Sequence, residues 1–422
     1  MAQAQLSRIL LKLHWRLMPV LLMMYVMAFL DRANIGFAKA GFQADAGIGN
    51  AAYAFGAGVF FVGYALLEVP SNLMLHKFGA RVWLARIMVT WGLVSAATAF
   101  VHSPVSFYAI RFLLGITEAG FFPGVIYYLT FWYPLAARAR SIGLFYYGAP
   151  LALTFGGPLS GLLVAHDAFG LHGWQVMFII EGLLASLGGI SVLFLLRDKP
   201  EKAGWLTTDD KQLLGAELAK DDAVRETPSA WRTLADPRVL FLSLVYFLLQ
   251  MGFYGLTFFL PAQVSRLLGS NMGLEVGFVS AIPWFCSLVA VTIIPPWCDR
   301  KGNSRDIGAL SLAISGAGLT VSALTGSPLV ALIALSVAAC GLIVSPALFW
   351  TLPTGLLGGA AAAVGIGLIN SIGNLGGFAA PNLRAWLDAL FANNSAGLLG
   401  LGAVCVLGAA CFAFAPRRSA QV

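Results

Sequence analysis

Charge is scarce in this chain. Asp, Glu, Lys and Arg together make up 11% of its 422 residues, against 59% hydrophobic residues, a balance that excludes a water-soluble domain of this length. Cysteine is sparse too. Cys286, Cys298, Cys340, Cys405 and Cys411 all fall in apolar stretches without metal-ligand or paired-redox spacing, so they read as small core side chains. A Gly-rich loop ending in Lys-Ser or Lys-Thr is missing, which argues against ATP as an energy source, and no constellation for enzyme chemistry is visible. We therefore expect no metal and no organic cofactor.

What the chain has in abundance is long apolar runs. A helix needs about 20 such residues to cross a bilayer core, and twelve runs qualify: 17–38, 53–75, 82–101, 104–132, 140–165, 174–196, 239–262, 275–297, 306–326, 328–350, 357–383 and 395–415, numbered below as spans 1 to 12. They are continuous and lack the alternation of a membrane barrel. Arg8, Lys12 and Arg16 before span 1 resemble a secretory leader, but the run continues into Asp31-Arg32 without a cleavage site. An uncleaved first span is expected.

The net charge of +7 reports orientation rather than a nucleic-acid partner. Arg8, Lys12 and Arg16, then Lys77 and Arg81, Arg138 and Arg140, eight residues in 197–238, Arg300, Lys301 and Arg305, and finally Arg417 and Arg418 all fall on one side; the other side has only Lys39, Arg266 and Arg384. This asymmetry places both termini in the cytoplasm.

The one long polar segment, 197–238, divides the spans six and six, so the expected units are 1–196, a cytoplasmic linker at 197–238, and 239–422. The linker has the mixed charge of a solvated, partly helical segment. Three short matches suggest that the units are diverged copies: His76-Lys77-Phe78-Gly79 with Asp299-Arg300-Lys301-Gly302, Ile142-Gly143-Leu144 with Ile366-Gly367-Leu368, and Phe131-Trp132 with Phe349-Trp350. The fold class is then all-α membrane protein, twelve transmembrane helices in two pseudo-symmetric six-helix bundles, with a site between them near the midplane. Glycine, 47 residues in all, recurs in spans 5 and 11 and reads as close helix packing.

Several motifs carry a family resemblance. Phe29-Leu30-Asp31-Arg32-Ala33-Asn34-Ile35-Gly36, Glu68-Val69-Pro70-Ser71-Asn72, Phe78-Gly79-Ala80-Arg81, Arg111-Phe112-Leu113-Leu114-Gly115, Glu118-Ala119-Gly120-Phe121-Phe122-Pro123-Gly124 and Glu181-Gly182 make the chain resemble the major facilitator superfamily. Within it the chain is most similar to the anion:cation symporters, near the bacterial members that carry rhamnonate or galactonate, with tartrate members next. The superfamily's loop motif usually has Asp three residues before its Gly; here His76 stands there, while Asp299 keeps it in the second half.

Charges inside spans are costly, roughly 2.5–3.5 kcal/mol each on insertion scales, so each needs a reason. Asp31, Arg32 and Arg111 lie at one depth, roughly 10 Å from the outer surface, and Glu118 lies two helical turns further in on the face of span 4 that carries Arg111. Asp31 and Glu118 are the expected proton carriers. Arg32 and Arg111 are the expected holders of a carboxylate, for which a guanidinium fork is the matching donor. In the resembled sugar-acid carriers the matching acids and Arg couple protons and bind the anion. Glu68, near the inner end of span 2, and Glu181, in span 6, are expected in structural networks, and His166, Asp167 and His172 in a solvated loop.

The second half offers no acid at the position matching Asp31, where Tyr254 stands. It is expected to supply neutral contacts from Gln250, Tyr254, Trp350, Asn370 and Asn374, facing Tyr64 of span 2, a set suited to a hydroxylated ligand. The expected activity is proton-coupled uptake of a sugar-acid monoanion by a monomer in a bacterial inner membrane, the proton being the only coupling ion. The alternative substrate is another carboxylate such as tartrate or an aromatic acid, for which Phe349, Trp350 and Trp284 would form the lining.

Overall fold

In hydrocarbon every backbone N–H and C=O must find its partner within the chain, so continuous apolar runs have little choice but to be helical. The computed structural model describes residues 2–222, 234–356 and 359–416. Positions 223–233 of the expected linker, 357–358 before span 11, the basic end 417–422 and the side chain of Asp299 lie outside the described residues.

Among the described residues eleven helices are long and apolar enough to span: Gln5–Asp45, Asn50–Phe78, Ala80–Phe100, Pro104–Thr130, Arg140–Val164, Gly173–Leu195, Pro237–Thr257, Leu274–Cys298, Ser304–Leu324, Pro328–Pro353 and Ala396–Ala413. Span 11 completes the set as two segments, Gly359–Asn374 and Gly376–Leu390. It is therefore interrupted where the sequence suggested one run. Span 4 is interrupted too. Its first helix ends at Glu118, and the chain restarts at Phe121 after Gly120 takes a left-handed φ of 84°, a conformation glycine adopts without cost. Local chemistry sets several starts: Ser103 and Ser106 exchange backbone and side-chain bonds in a capping box beside Pro104, and Asp236 accepts from the Arg238 N–H at 2.8 Å to open span 7.

Span 1 is longer than expected, since its helix begins at Ala2. Its first turns run past the bilayer core and meet the linker helix Thr208–Asp222, where Lys12 donates to Asp210 at 2.7 Å. Asp198, just past span 6, accepts the backbone N–H of Arg81 at 2.9 Å. A carboxylate thus sits at the start of span 3, next to the loop where His76 replaces the usual one.

Because successive spans alternate in direction, residue 2 and residue 416 lie on one face, called here the termini face. The heaviest contacts between the first six spans and the last six are span 5 with span 8 and span 2 with the second segment of span 11. Both belong to the opposite face. There the backbones of spans 5 and 8 touch: a methyl at Gly161 would stand 2.5 Å from the Gly273 carbonyl oxygen, and one at Gly157 would stand 2.8 Å from that of Gly277. The Tyr53 hydroxyl closes the same end, within 3.2 Å of the Ile35 carbonyl oxygen and 3.1 Å of that of Phe258. The halves are clasped at the face away from the termini.

Candidate functional site

Arg32, Asp31 and Asn34 leave one stretch of span 1 at different angles, since successive helical residues diverge by about 100°. Arg32 turns to the seam between the halves. Its Nε and Nη2 donate to Glu118 Oε1 at 2.9 and 2.5 Å, and its Nη1 donates to the Tyr254 hydroxyl at 3.0 Å. Its guanidinium carbon also lies 5.2, 5.4 and 5.3 Å from the ring centres of Phe29, Phe60 and Tyr64. Arg32 is 7% exposed and Glu118 fully buried. Spans 1, 2, 4 and 7 thus converge on one guanidinium, and Tyr254, standing where the first half has Asp31, brings the second half to it.

Asp31 turns instead to span 3, where Ser95 Oγ donates to Oδ1. Arg111 is 1% exposed, its guanidinium carbon 5.1 Å from the Phe60 ring. Asp31 Oδ2, Glu118 Oε2, and Arg111 Nε and Nη2 are buried without a hydrogen-bond partner among the described residues. Buried polar atoms in native proteins are nearly always bonded, so these acceptors and donors are what a proton and a carboxylate would complete.

Below this layer, toward the termini face, the neutral groups form a ladder. Gln250, one turn from Tyr254, donates to Asn374 Oδ1 at 3.2 Å. Another turn on, Asn370 Nδ2 and Ser371 Oγ each donate to one oxygen of Glu68, both at 2.7 Å. Asn370, Asn374 and Gln250 are therefore engaged with protein groups in this conformation. Glu68, 2% exposed, crosses from one half to the other. Trp350 lies off the ladder, its ring 4.9 Å from Tyr246 and 5.5 Å from Phe349.

Glu181 is tied within the first half, accepting from Ser160 at 2.7 Å and Asn34 at 3.0 Å. Of the outer-loop residues, Asp167 caps the start of span 6 through the Gly173 N–H at 2.7 Å. Ser95 and Ser371 went unnoticed in the sequence because isolated serines in apolar spans carry no signal. Glu68 was visible by the same cost argument that singled out Asp31 and Glu118.

The chain matches the Major Facilitator Superfamily over residues 21–381. It is 47% identical to the inner membrane transport protein RhmT of Escherichia coli (strain K12), over 97% of this chain and 95% of that one. It is 45% identical to a transporter of Agrobacterium vitis whose name points to tartrate, over 93% and 88%. The crystal structure of a D-xylose-proton symporter superposes with a TM-score of 0.74 at 17% identity, covering 97% of this chain and 99% of that one. A duplicated helical body with charges buried at the seam, a family match over most of its length and full-length relatives that are transporters place the chain in the Major Facilitator Superfamily, as a multi-pass membrane transporter.

Proposed function

We propose that the chain is a proton-coupled symporter that carries a sugar-acid monoanion, of the rhamnonate or galactonate class, across a bacterial inner membrane toward a cytoplasmic termini face. The observation that carries this is the Arg32–Glu118 pair. A buried guanidinium already neutralised by Glu118 cannot also hold a substrate carboxylate without enclosing a second anion, which is costly in a low-dielectric site. A proton on Glu118 removes that obstacle and frees the fork of Arg32 for the anion. The proton on Glu118 and the substrate anion then bind together and leave together, which is symport in chemical terms.

Asp31 is a second proton carrier beside Arg111, whose unbonded donors serve the same carboxylate. Tyr64 and Tyr254 frame the anion. Gln250, Asn370 and Asn374 offer their amides to its hydroxyls after exchanging their present bonds, and Trp350 borders the path toward the termini face. The proton is the only coupling species, and one copy of the chain contains the whole site. Similarity to the tartrate-named relative supports a second reading, a shorter dicarboxylate on the same two arginines.

The test is uptake of labelled rhamnonate, galactonate and tartrate into right-side-out vesicles, with and without an inward proton gradient. Gradient-driven accumulation of a sugar acid is expected, and accumulation of tartrate alone would move the substrate to the second reading. In Glu118→Gln, which mimics the protonated acid, we expect exchange of internal for external substrate to continue while uphill accumulation is lost. A variant that still concentrates substrate as the wild type does would remove Glu118 from the coupling.

A further inference from the structure

Three cations were left over by the site: Lys39, Arg266 and Arg384, the only Lys and Arg that the charge count puts on the face away from the termini. The structure gathers them at one place. Lys39 Nζ lies 5.1 Å and Arg384 Cζ 4.2 Å from the centre of the same Phe259 ring. Lys39 and Arg266 line a cavity of about 280 Å³ together with Gln43, Asn50, Ser265 and Asn394, close to the lower end of the range of about 300–1,000 Å³ for small-molecule sites. Lys39, Gln43 and Asn50 come from the first half, and Ser265, Arg266 and Asn394 from the second.

Compensation is incomplete. Asp388 stands 3.8 Å from Arg384 Nε, and Arg266 donates to the neutral Gln263 at 2.7 Å. Among the described residues no ion pair engages Lys39 or Arg266. The one carboxylate that acts on both is Asp388, which also serves Arg384 and accepts from the Gly397 N–H at 2.7 Å, so one acid faces three cations. Lys39 and Arg266, from opposite halves, repel one another with one shared acid to offset them, and a second carboxylate between them turns that repulsion into attraction. Gln43 donates to Asn50 Oδ1 at 2.9 Å and Ser265 to the Ser270 carbonyl oxygen at 2.7 Å; with Asn394 these groups can exchange such bonds for those of a hydroxylated chain.

We propose that this vestibule is a second anion site, where a polyhydroxy carboxylate lands from the outer solution between Lys39 and Arg266 before the halves part to admit it to Arg32. This deepens the symport reading and rests on it. A focused positive potential raises local anion concentration and speeds capture in a salt-dependent way.

The test compares wild type with Lys39→Gln/Arg266→Gln and the charge-keeping Lys39→Arg/Arg266→Lys in proteoliposomes of known orientation, using labelled rhamnonate at low and high ionic strength. For uptake from the outer face at low salt, KM should rise about tenfold in the Gln pair and be restored in the charge-keeping pair. That rise should shrink at high salt, and transport from the termini face should change far less. An outer-face KM within twofold of wild type, or an equal rise from both faces, overturns the vestibule. A wild type that carries tartrate and no rhamnonate overturns the sugar-acid reading alone; the same comparison with tartrate then judges the two cations.

Discussion

Arg32 can serve both as a buried cation and as an anion ligand because its partners sit on three other spans, so that each bond it makes reports on their relative positions. The Tyr254 bond is the one that crosses the seam. Hydrogen bonds to charged groups contribute about 1.5–3 kcal/mol. Tyr254→Phe should therefore fold normally and raise the KM for substrate by about tenfold or more; measured kinetics showing an unchanged KM would place the anion away from this hydroxyl. Asp31 is a different case, since its hydrogen bond is to a neutral serine on span 3 and Arg111 acts on it without one.

At the scale of elements, the clasp on the far face and the ladder on the near face set the balance between conformations. Spans 5 and 8 approach closely because neither has a side chain at Gly157, Gly161, Gly273 or Gly277. Gly161→Val should wedge that contact, cost about 1–3 kcal/mol in this conformation, and shift the population toward opening at the face away from the termini. Spin-label distances between spans 5 and 8 would lengthen; unchanged distances would show that the contact has slack. Glu68 is the counterpart on the ladder, joining span 2 to span 11 through two donors. Glu68→Leu leaves both donors unpaired, at about 1–3 kcal/mol each, and should loosen the seam toward the termini face. A cysteine replacing Asn374 in a background without the five native cysteines should then react faster with a reagent added from that side, and an equal rate would reduce Glu68 to a passive contact.

For the whole molecule, the linker helix Thr208–Asp222 is tied to the start of span 1. The Lys12 ammonium beside Asp210 holds that carboxyl below the usual carboxylate range. A lowered folded-state value means that the contact stabilises the folded protein above the unfolded carboxylate pKa of about 3.9 and is lost as pH falls through the lowered value. Lys12 is half exposed, so the effect is small, at most about 1 kcal/mol. Hydrogen exchange in Thr208–Asp222 should accelerate a few-fold in Asp210→Asn at neutral pH, and acidification should affect the variant less than the wild type. Equal exchange in both would mean that other contacts hold the helix. The basic asymmetry makes a further whole-molecule prediction: protease tags at either terminus should be protected in right-side-out vesicles and cut in inverted ones.

Insertion into a bilayer is close to a local sum of side-chain transfer energies, so the spans and the positions of their buried charges were legible in the sequence alone. Asp31, Arg32, Arg111 and Glu118 stood out for that reason, and all four are buried. Pairing is not local. Sequence spacing put Arg111 and Glu118 on one face of span 4, yet the cation that Glu118 holds is Arg32, from a helix whose tilt and rotation depend on every neighbour packed against it. The engagement of Asn370 and Ser371 by Glu68, and the meeting of Lys39 with Arg384 at Phe259 and with Arg266 across the cavity, likewise depend on how two halves meet across residues hundreds of positions apart. The sequence alone determined which residues had to be buried in the membrane and which stayed outside; only the tertiary structure decided which charge faces which, because that is settled by helix packing and not by transfer energy.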